Sequence, residues 1–480
     1  MDPTFLPAWR LADLARTGKI GCLELTEHFI ARTERLNPRI NAVVVRNFER
    51  ARARARRLDQ AGRAEPGTLF GVPMTVKESF DLAGLPSTWG YESRREERAE
   101  SDALAVRRLE AAGAVVFGKT NVPVGLADWQ SYNPLYGTTN NPWHPGHTPG
   151  GSSGGGAAAV AAGLSALEIG SDIGGSIRVP AHYCGLFGLK PSWGLCSPRG
   201  HSTIDAAAMS DISVIGPLAR SARDLEPALE AILGPDPVAA VHGYVLPPAR
   251  TARLSDLRIA VWSNEPGHAT DAESVALIED LAHHLQREGA FVSLTERPEF
   301  DPLEAFRLYV TLLDAALSAR ATEEDLARRR TEKVKLAADD HSTDALFVRA
   351  VDLGHREWLR LNERRFQIRR LWGAFFKHWD VLLCPVIATP ALPHMQEGNT
   401  WERSLEVDGT RIAYNDMLFW PGITCGFHLP ASVAPIGLSR SGLPIGVQIV
   451  GPVGGDRTTI AVARMLELCF RSFVPPPGFD

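Results

Sequence analysis

The chain of 480 residues has no long apolar run, no strong net charge and few cysteines. No stretch approaches the roughly 18 uncharged apolar residues of a membrane-spanning helix, and the N-terminus lacks the basic and apolar parts of a secretory signal. Lysine and arginine number 51 against 56 aspartates and glutamates, so a net charge of −5 gives no reason to expect nucleic acid or an anionic membrane as a partner. The sequence therefore predicts a cytoplasmic protein without either partner.

The six cysteines include no C-x-x-C pair. Cys384 and Cys469 lie within apolar runs, which is typical of small buried side chains in a reducing compartment. One segment, ERARARARRLD at 49–59, is strongly basic. It could be an arm that binds nucleic acid or the solvated face of a helix, and its acidic neighbours favour the helix face.

In the first part of the chain, hydrophobic periodicity separates a helical segment from the strands that follow it. The first sixty residues have the spacing of helices, whereas short apolar runs bounded by glycine at 72–76 and 114–117 are typical of buried strands. The segment 101–112 between these strands predicts a helix. A strand–helix–strand unit favours a largely parallel sheet with helices on its faces.

The second half of the chain begins with a similar pattern. Strands are predicted at 257–262 and 290–294, with a helix at 272–287 between them, and a mostly helical block follows. Within that block, an aromatic stripe from Trp358 to Phe375 could be core packing or the wall of a substrate channel. Strands return later, and the last two are expected to form a hairpin through the turn at 439–442.

Glycine is concentrated in residues 145–200. A glycine–serine run is often a flexible linker, but this one continues directly into an alanine-rich helix and a strand-like segment at 164–169. We therefore interpret its glycines as positions of positive φ or of close approach to a ligand. Phosphate binding is disfavoured, because neither G-x-x-x-x-G-K-[ST] nor a clean G-x-G-x-x-G is present.

Two kinds of serine hydrolase remain as alternatives for this segment. Residues 150–154 match the nucleophile elbow G-x-S-x-G, but a turn-rich loop precedes them where that motif needs a strand. In the other alternative the base is a lysine. Lys77 ends the apolar strand VPMTVK, where burial lowers the pKa of an amine, and Ser176 follows a glycine pair whose N–H groups can face an oxyanion. A second serine could relay the proton.

Several motifs together resemble the amidase signature family of serine hydrolases. They are GVPMTVKES at 71–79, GGSSGG at 150–155 and GSDIGGSIRVPA at 170–181, with further matches at 118–121, 140–143, 188–191 and 442–448. The resemblance implies an α/β fold, the amidase signature fold, in which a central mixed, twisted sheet is covered by helices on both faces as an α/β/α sandwich.

The resemblance also implies one amidase domain over residues 1–480. Its parts would be an N-terminal helical part (1–60), a signature core (61–235), a variable and mostly helical insertion or cap (255–415), and a return to the core sheet (420–480).

The same resemblance implies roles for individual residues. Ser176 corresponds to the nucleophile, Ser152 to a bridging serine that follows a cis peptide bond, and Lys77 to the base. The implied oxyanion hole consists of the backbone N–H groups of Ile173, Gly174, Gly175 and Ser176. The implied supporting residues are Ser153, Asp172 and Arg178. The implied substrate pocket, expected to be apolar and tolerant of aromatic groups, contains Trp129, Gln130, Tyr132 and Tyr136.

The implied function is hydrolysis of a small-molecule carboxylic acid amide, with an aryl or apolar acyl group, or of a related ester or carbamate. The reaction would pass through an acyl-enzyme and need no metal or cofactor. Homodimers are common in the family, which leaves a homodimer open. The rival function is the glutaminase-type subunit of a tRNA-dependent amidotransferase. Its usual serine-leucine-aspartate-glutamine stretch is replaced here at 209–213 by MSDIS, which favours a free-standing amidase.

Overall fold

The protein is built around one 11-stranded sheet in the computed structural model, which describes residues 2–61, 67–203, 208–239, 244–319 and 321–479. The strands are β1 (Val43–Arg46), β2 (Pro73–Lys77), β3 (Val115–Thr120), β4 (Tyr132–Asn133), β5 (Gly137–Thr138), β6 (Leu167–Asp172), β7 (Phe187–Lys190), β8 (Val214–Ala219), β9 (Arg258–Val261), β10 (Phe291–Ser293), β11 (Val381–Pro385), β12 (Ser404–Val407), β13 (Thr410–Ala413), β14 (Ala431–Leu438) and β15 (Pro444–Val450). The helices are α1 (Ala8–Arg16), α2 (Cys22–Ile40), α3 (Phe48–Ala61), α4 (Leu104–Ala111), α5 (Gly154–Ala161), α6 (Arg178–Cys184), α7 (Leu225–Ile232), α8 (Ala272–Arg287), α9 (Pro302–Ser318), α10 (Glu323–Lys335), α11 (Thr343–Arg349), α12 (His355–His378), α13 (Phe419–Cys425) and α14 (Asp456–Cys469).

The strand order in the large sheet is β1-β3-β2-β6-β8-β7-β14-β15-β11-β9-β10, and the pairing is mixed. Strands β3, β2 and β6 run parallel, as do β11, β9 and β10, whereas the pairs between and beside these two groups are antiparallel. The largely parallel sheet predicted from local periodicity is therefore wrong for the whole molecule. A strand–helix–strand unit does give parallel neighbours, but hairpins and distant segments supply antiparallel ones.

Helices cover both faces of this sheet. Along β11, Val381 and Leu383 pack into a core shared with α2, α7, α8 and α14. The alternating residues, Leu382 and Cys384, pack into a second core with α6, α9, α12 and α13. Because successive side chains of a strand point to opposite faces, the two cores lie on the two sides of the sheet. The expected α/β/α sandwich is confirmed.

Most predicted elements are found, with shifted ends, but two of the expected parts differ. The N-terminal part, expected to be helical, contributes β1 to the large sheet, and the expected insertion or cap at 255–415 contributes β9, β10 and β11, so the chain returns to the sheet well before residue 420. Helix α8 has the predicted bounds, and the predicted helix at 101–112 is shorter, as α4. Strands β14 and β15 form the predicted hairpin. The aromatic stripe of α12 is core packing, because Ile368, Trp372 and Phe375 are buried in the second core.

The basic segment at 49–59 lies in α3, and two of its arginines contact acids of α2, of α4 and of the segment just before α4. Arg50 pairs with Asp102 and Glu110, and Arg52 pairs with Glu27. The six cysteines, all within the described residues, form no disulfide, and five of them are buried while Cys469 is partly exposed. Within the described ranges, no helix combines the length and the apolar character that crossing a membrane requires.

Candidate active site

The predicted catalytic residues come from neighbouring strand ends and one tight turn. Strands β2 and β6 are parallel neighbours, with Thr75 opposite Glu168, so their C-terminal ends lie at the same edge of the sheet. Lys77 ends β2, and the turn that carries Ser152 precedes α5. The peptide bond between Gly151 and Ser152 is cis, as the resemblance implies.

Lys77 is fully buried beside two serine hydroxyls. Its Nζ donates to Ser152 Oγ at 2.7 Å and to Ser171 Oγ at 2.9 Å. Burial lowers the pKa of Lys77 to about 7, although the charges of Asp172 and Glu168 oppose that shift. A large fraction of this amine is therefore neutral near pH 7 and able to accept a proton.

A carboxyl group on the neighbouring strand β6 is also buried. Glu168 accepts hydrogen bonds from the hydroxyls of Thr75 and Thr120. Burial raises its pKa to about 8, so most of this carboxyl is neutral near pH 7. Because Glu168 is mostly neutral, it does little to favour the protonated form of Lys77.

Ser176 lies at the junction of two cavities and is 7% exposed. The smaller cavity is also lined by Ser152 and Ser171, so the three hydroxyls share one space. Within the described part of the chain, no group forms a hydrogen bond with Ser176 Oγ, and the expected link from Ser152 is not made. The two loops are instead joined through Ser153, whose N–H donates to the Ser176 carbonyl at 3.1 Å.

The four predicted oxyanion donors are not equivalent. The N–H of Gly175 donates to Asp172 Oδ1 at 2.8 Å and is therefore occupied. The N–H groups of Ile173, Gly174 and Ser176 have no acceptor among the described residues. The structure thus leaves three of the four predicted N–H groups able to bind an oxyanion.

The predicted supporting residues form a buried network behind this loop. Asp172 pairs with Arg178 through two contacts of 2.9 and 3.0 Å, and both side chains are fully buried. Burial alone raises the pKa of Asp172, but the Arg178 guanidinium outweighs this effect and lowers it well below its usual range. Arg178 also donates to the side chains of Thr424 and Gln448. Ser153 Oγ donates to the Ser171 carbonyl at 3.3 Å.

The larger cavity beside Ser176 has a volume of about 220 Å³ and is mostly apolar. Its lining residues are Leu126, Ala127, Asp128, Trp129, Ile173, Gly174, Ser176, Leu313, Leu317, Phe347, Thr400, Trp401, Tyr414, Asn415 and Leu418. Helices α9 and α11 supply three of these side chains. The charged group in this lining, Asp128, is bound by Arg403 at 2.6 Å and by the Tyr414 hydroxyl at 2.7 Å.

Of the four residues predicted for the substrate pocket, Trp129 lines it and the other three do not. Trp129 Nε1 donates to the Gly174 carbonyl at 2.9 Å. Gln130, Tyr132 and Tyr136 lie outside the lining, because each side chain binds a group elsewhere. Their partners are the Met395 backbone, Arg403 and Glu78, respectively.

Two residues that contact the site were missed from the sequence. Ser171, the second hydroxyl on Lys77, lies inside the 170–181 motif, and only the alternation of β6 could have pointed to it. Tyr309 is on α9, and its hydroxyl donates to the Ile173 carbonyl at 3.1 Å. No local pattern marks Tyr309, because its contact joins residues 136 positions apart. Among the described residues, no group of three or more His, Cys, Asp or Glu side chains is arranged to hold a metal ion.

Comparison with known proteins agrees with this fold. The family model described as Amidase matches residues 24–460. Indoleacetamide hydrolase from Bradyrhizobium diazoefficiens is 32% identical, over 92% of this chain and 83% of its own length. A glutamyl-tRNA(Gln) amidotransferase subunit from Synechococcus sp. is 31% identical, over 98% of this chain and 97% of its own. The solved structure of 6-aminohexanoate cyclic dimer hydrolase with substrate has a TM-score of 0.79 at 29% identity, over 99% of this chain and 100% of that one.

The family match, together with the shared α/β/α fold, places the molecule among the amide hydrolases. The chain belongs to the amidase signature family. It is an amidase that acts on carbon–nitrogen bonds.

Proposed function

We propose that this amidase uses Ser176 as its nucleophile, Lys77 as its base and Ser152 as the relay between them. The observation that carries the proposal is the 2.7 Å contact between Lys77 Nζ and Ser152 Oγ in a fully buried setting. Serine hydroxyls attack carbonyls only when a base removes their proton, and the neutral amine of a buried lysine is such a base. The cavity shared by Ser152 and Ser176 supports the second step of the relay.

In the proposed reaction, neutral Lys77 takes a proton from Ser152, which takes one from Ser176. The Ser176 oxygen bonds to the amide carbon, and the carbonyl oxygen becomes an oxyanion that the free N–H groups of the 173–176 loop bind. The carbon–nitrogen bond then breaks, and the proton returns through Ser152 to the leaving nitrogen. Water adds to the resulting ester and releases the acid, with the same lysine accepting and returning its proton.

The substrate we propose is an amide with an apolar, aryl-containing acyl group, or the related ester or carbamate. The cavity beside Ser176 presents four aromatic side chains, Trp129, Phe347, Trp401 and Tyr414. Such a lining favours apolar groups, which gain free energy by leaving water.

The same lining disfavours the glutaminase alternative. Glutamine would bring a charged carboxylate and ammonium group next to Ser176, and buried charges need partners. No lysine or arginine is among the described residues that line the two cavities at Ser176. We expect hydrolysis of arylacyl amides and anilides by the chain alone. Release of ammonia from glutamine that depends on an added partner protein would instead support the alternative.

The nucleophile is tested by labelling with a fluorophosphonate probe, followed by mass analysis of the labelled peptide. We expect the label on Ser176 and none on Ser176→Ala, whose kcat falls by about 10⁵-fold or more, because the reacting oxygen is gone. Ser432→Ala is a matched control, since this buried hydroxyl donates to Thr459 of α14 and lines neither cavity at Ser176. A Ser176→Ala variant that keeps its turnover would overturn the proposal.

A further inference from the structure

The peptide groups of the 173–176 loop each have their own hydrogen-bond partners. The carbonyl of Ile173 accepts the Tyr309 hydroxyl, and the carbonyl of Gly175 accepts the N–H of Val179 at 2.7 Å. In a trans peptide the C=O and the following N–H point in opposite directions. These two contacts therefore turn the N–H groups of Gly174 and Ser176 away from Tyr309 and Val179.

The peptide group between Gly174 and Gly175 is bonded at both ends instead. Its carbonyl accepts Trp129 Nε1, and its N–H donates to Asp172. This group is consequently closed to a ligand, whereas its two neighbours each present an N–H without an acceptor among the described residues. The loop thus separates donors that can bind an oxyanion from one that cannot.

Tyr309 is held in place by contacts that need its whole ring. The side chain is fully buried, and a Cβ at Gly422 or Gly426 would come within 2.5 and 2.9 Å of it. Because these two glycines have no side chain, they leave the space between α9 and α13 that the Tyr309 ring occupies. Burial raises the pKa of the hydroxyl well above its usual value, so Tyr309 stays a hydrogen-bond donor at neutral pH.

We propose that Tyr309 is a positioning residue of the oxyanion hole: by holding the Ile173 carbonyl, it aims the Gly174 N–H at the developing oxyanion. The inference rests on the proposed function, because it assumes that an oxyanion forms at Ser176. It links a residue of the variable region to the rate of the chemical step, without contact between that residue and the substrate.

The expected effect is on turnover and not on substrate binding. Removing one oxyanion donor costs about 10²–10³-fold in kcat, and a donor that remains but is poorly aimed costs a part of this, about 10-fold. KM should stay within about twofold, because the oxyanion exists only in the transition state and not in the bound substrate.

The test is Tyr309→Phe, which keeps the ring packed against Gly422 and Gly426 and removes only the hydroxyl. We expect kcat to fall by about 10-fold at unchanged KM. A trifluoromethyl ketone inhibitor should lose the same factor in affinity. Ser176 Oγ bonds to its carbonyl carbon, the serine proton passes to Lys77, and the ketone oxygen becomes the oxyanion. Tyr183→Phe is the matched control, because this buried hydroxyl makes no hydrogen bond to the loop.

Three results would be decisive. A Tyr309→Phe variant with unchanged kcat and inhibitor affinity overturns the inference, and so does one in which KM rises while kcat is kept. If kcat falls only together with a lower melting temperature and equally in Tyr183→Phe, Tyr309 has a structural role alone and the inference fails. The proposed function fails separately, if Ser176→Ala keeps its activity.

Discussion

The signature core and the variable region make different contributions to one site. The predicted core contains the groups that we propose to react: the Lys77 amine, the serine hydroxyls and the loop that begins at Ile173. The variable region, residues 255–415, supplies apolar walls from α9, α11 and the segment before β12, and Tyr309 adds a polar contact to the loop. We therefore expect substitutions of the proposed reactive groups to lower kcat and substitutions of wall residues in 255–415 to raise KM, with Tyr309, which contacts the loop and lies outside the cavity lining, as the exception.

The largest effect is expected in the core. Lys77→Ala removes the proposed base, and loss of a general base lowers kcat by about 10²–10⁴-fold. KM for an arylacyl amide should change little, because Lys77 is not a lining residue of the larger cavity. Steady-state kinetics with a chromogenic anilide measure both constants.

Lys119→Met provides the control for that experiment. Lys119 is also fully buried, on the neighbouring strand β3, and burial lowers its pKa to about 8. Its amine contacts Ser87 and not the triad. We expect near-normal kcat for Lys119→Met, with a lower melting temperature because Ser87 loses a partner. Equal loss of kcat in both lysine variants would contradict a specific role for Lys77.

A smaller effect follows from pH. In the proposed mechanism neutral Lys77 is the active form, and burial lowers its pKa to about 7, so kcat/KM should rise with pH and level off above that value. At one pH unit below the midpoint the rate should be about 10-fold lower than the plateau. Profiles from about pH 5.5 to about pH 8.5 with an amide and an ester should share the midpoint. A flat profile would argue against a lysine base.

The smallest effect is expected in the variable region. Trp401, which is 43% exposed, packs edge-to-face on Phe347 at the outer end of the cavity. Trp401→Ala should raise KM for a bulky arylacyl amide by about fivefold, the equivalent of about 1 kcal/mol of lost apolar contact, and leave kcat unchanged. Trp358→Ala is the control, since Trp358 does not line the cavity. If kcat falls and KM does not, Trp401 is not a wall of the substrate cavity in the proposed sense.

The local structure of the core could be predicted from the sequence because the residues that determine it are close together in the chain. The motif at 170–181 contains the loop, the candidate nucleophile and two members of the buried network within a few positions. The turn residues at 439–442 likewise specify the hairpin between β14 and β15 within a few residues. In these segments the residues that determine the local structure lie within a few positions of one another.

The errors arise where partners are distant in the sequence. Strand direction depends on pairing between segments far apart, such as β7 with β14. Tyr132 and Tyr136 follow a recognisable motif but bind Arg403 and Glu78, and nothing near them shows that these partners exist. Gly175 is an exception, because its partner is only three positions away: the resemblance implies an oxyanion donor there, and the motif does not reveal that Asp172 already accepts its N–H.

The guanidinium of Arg178 has a consequence for the order in which the protein becomes active. All three proposed triad residues have been synthesised once residue 176 is made, but Arg178 binds Gln448, which is 270 positions later. Until β15 emerges from the ribosome, a growing polypeptide would carry Ser176, the proposed nucleophile, on a loop that lacks the contact between Arg178 and Gln448. We therefore expect hydrolytic competence to arrive late in translation, so that an unfinished chain does not attack amides indiscriminately.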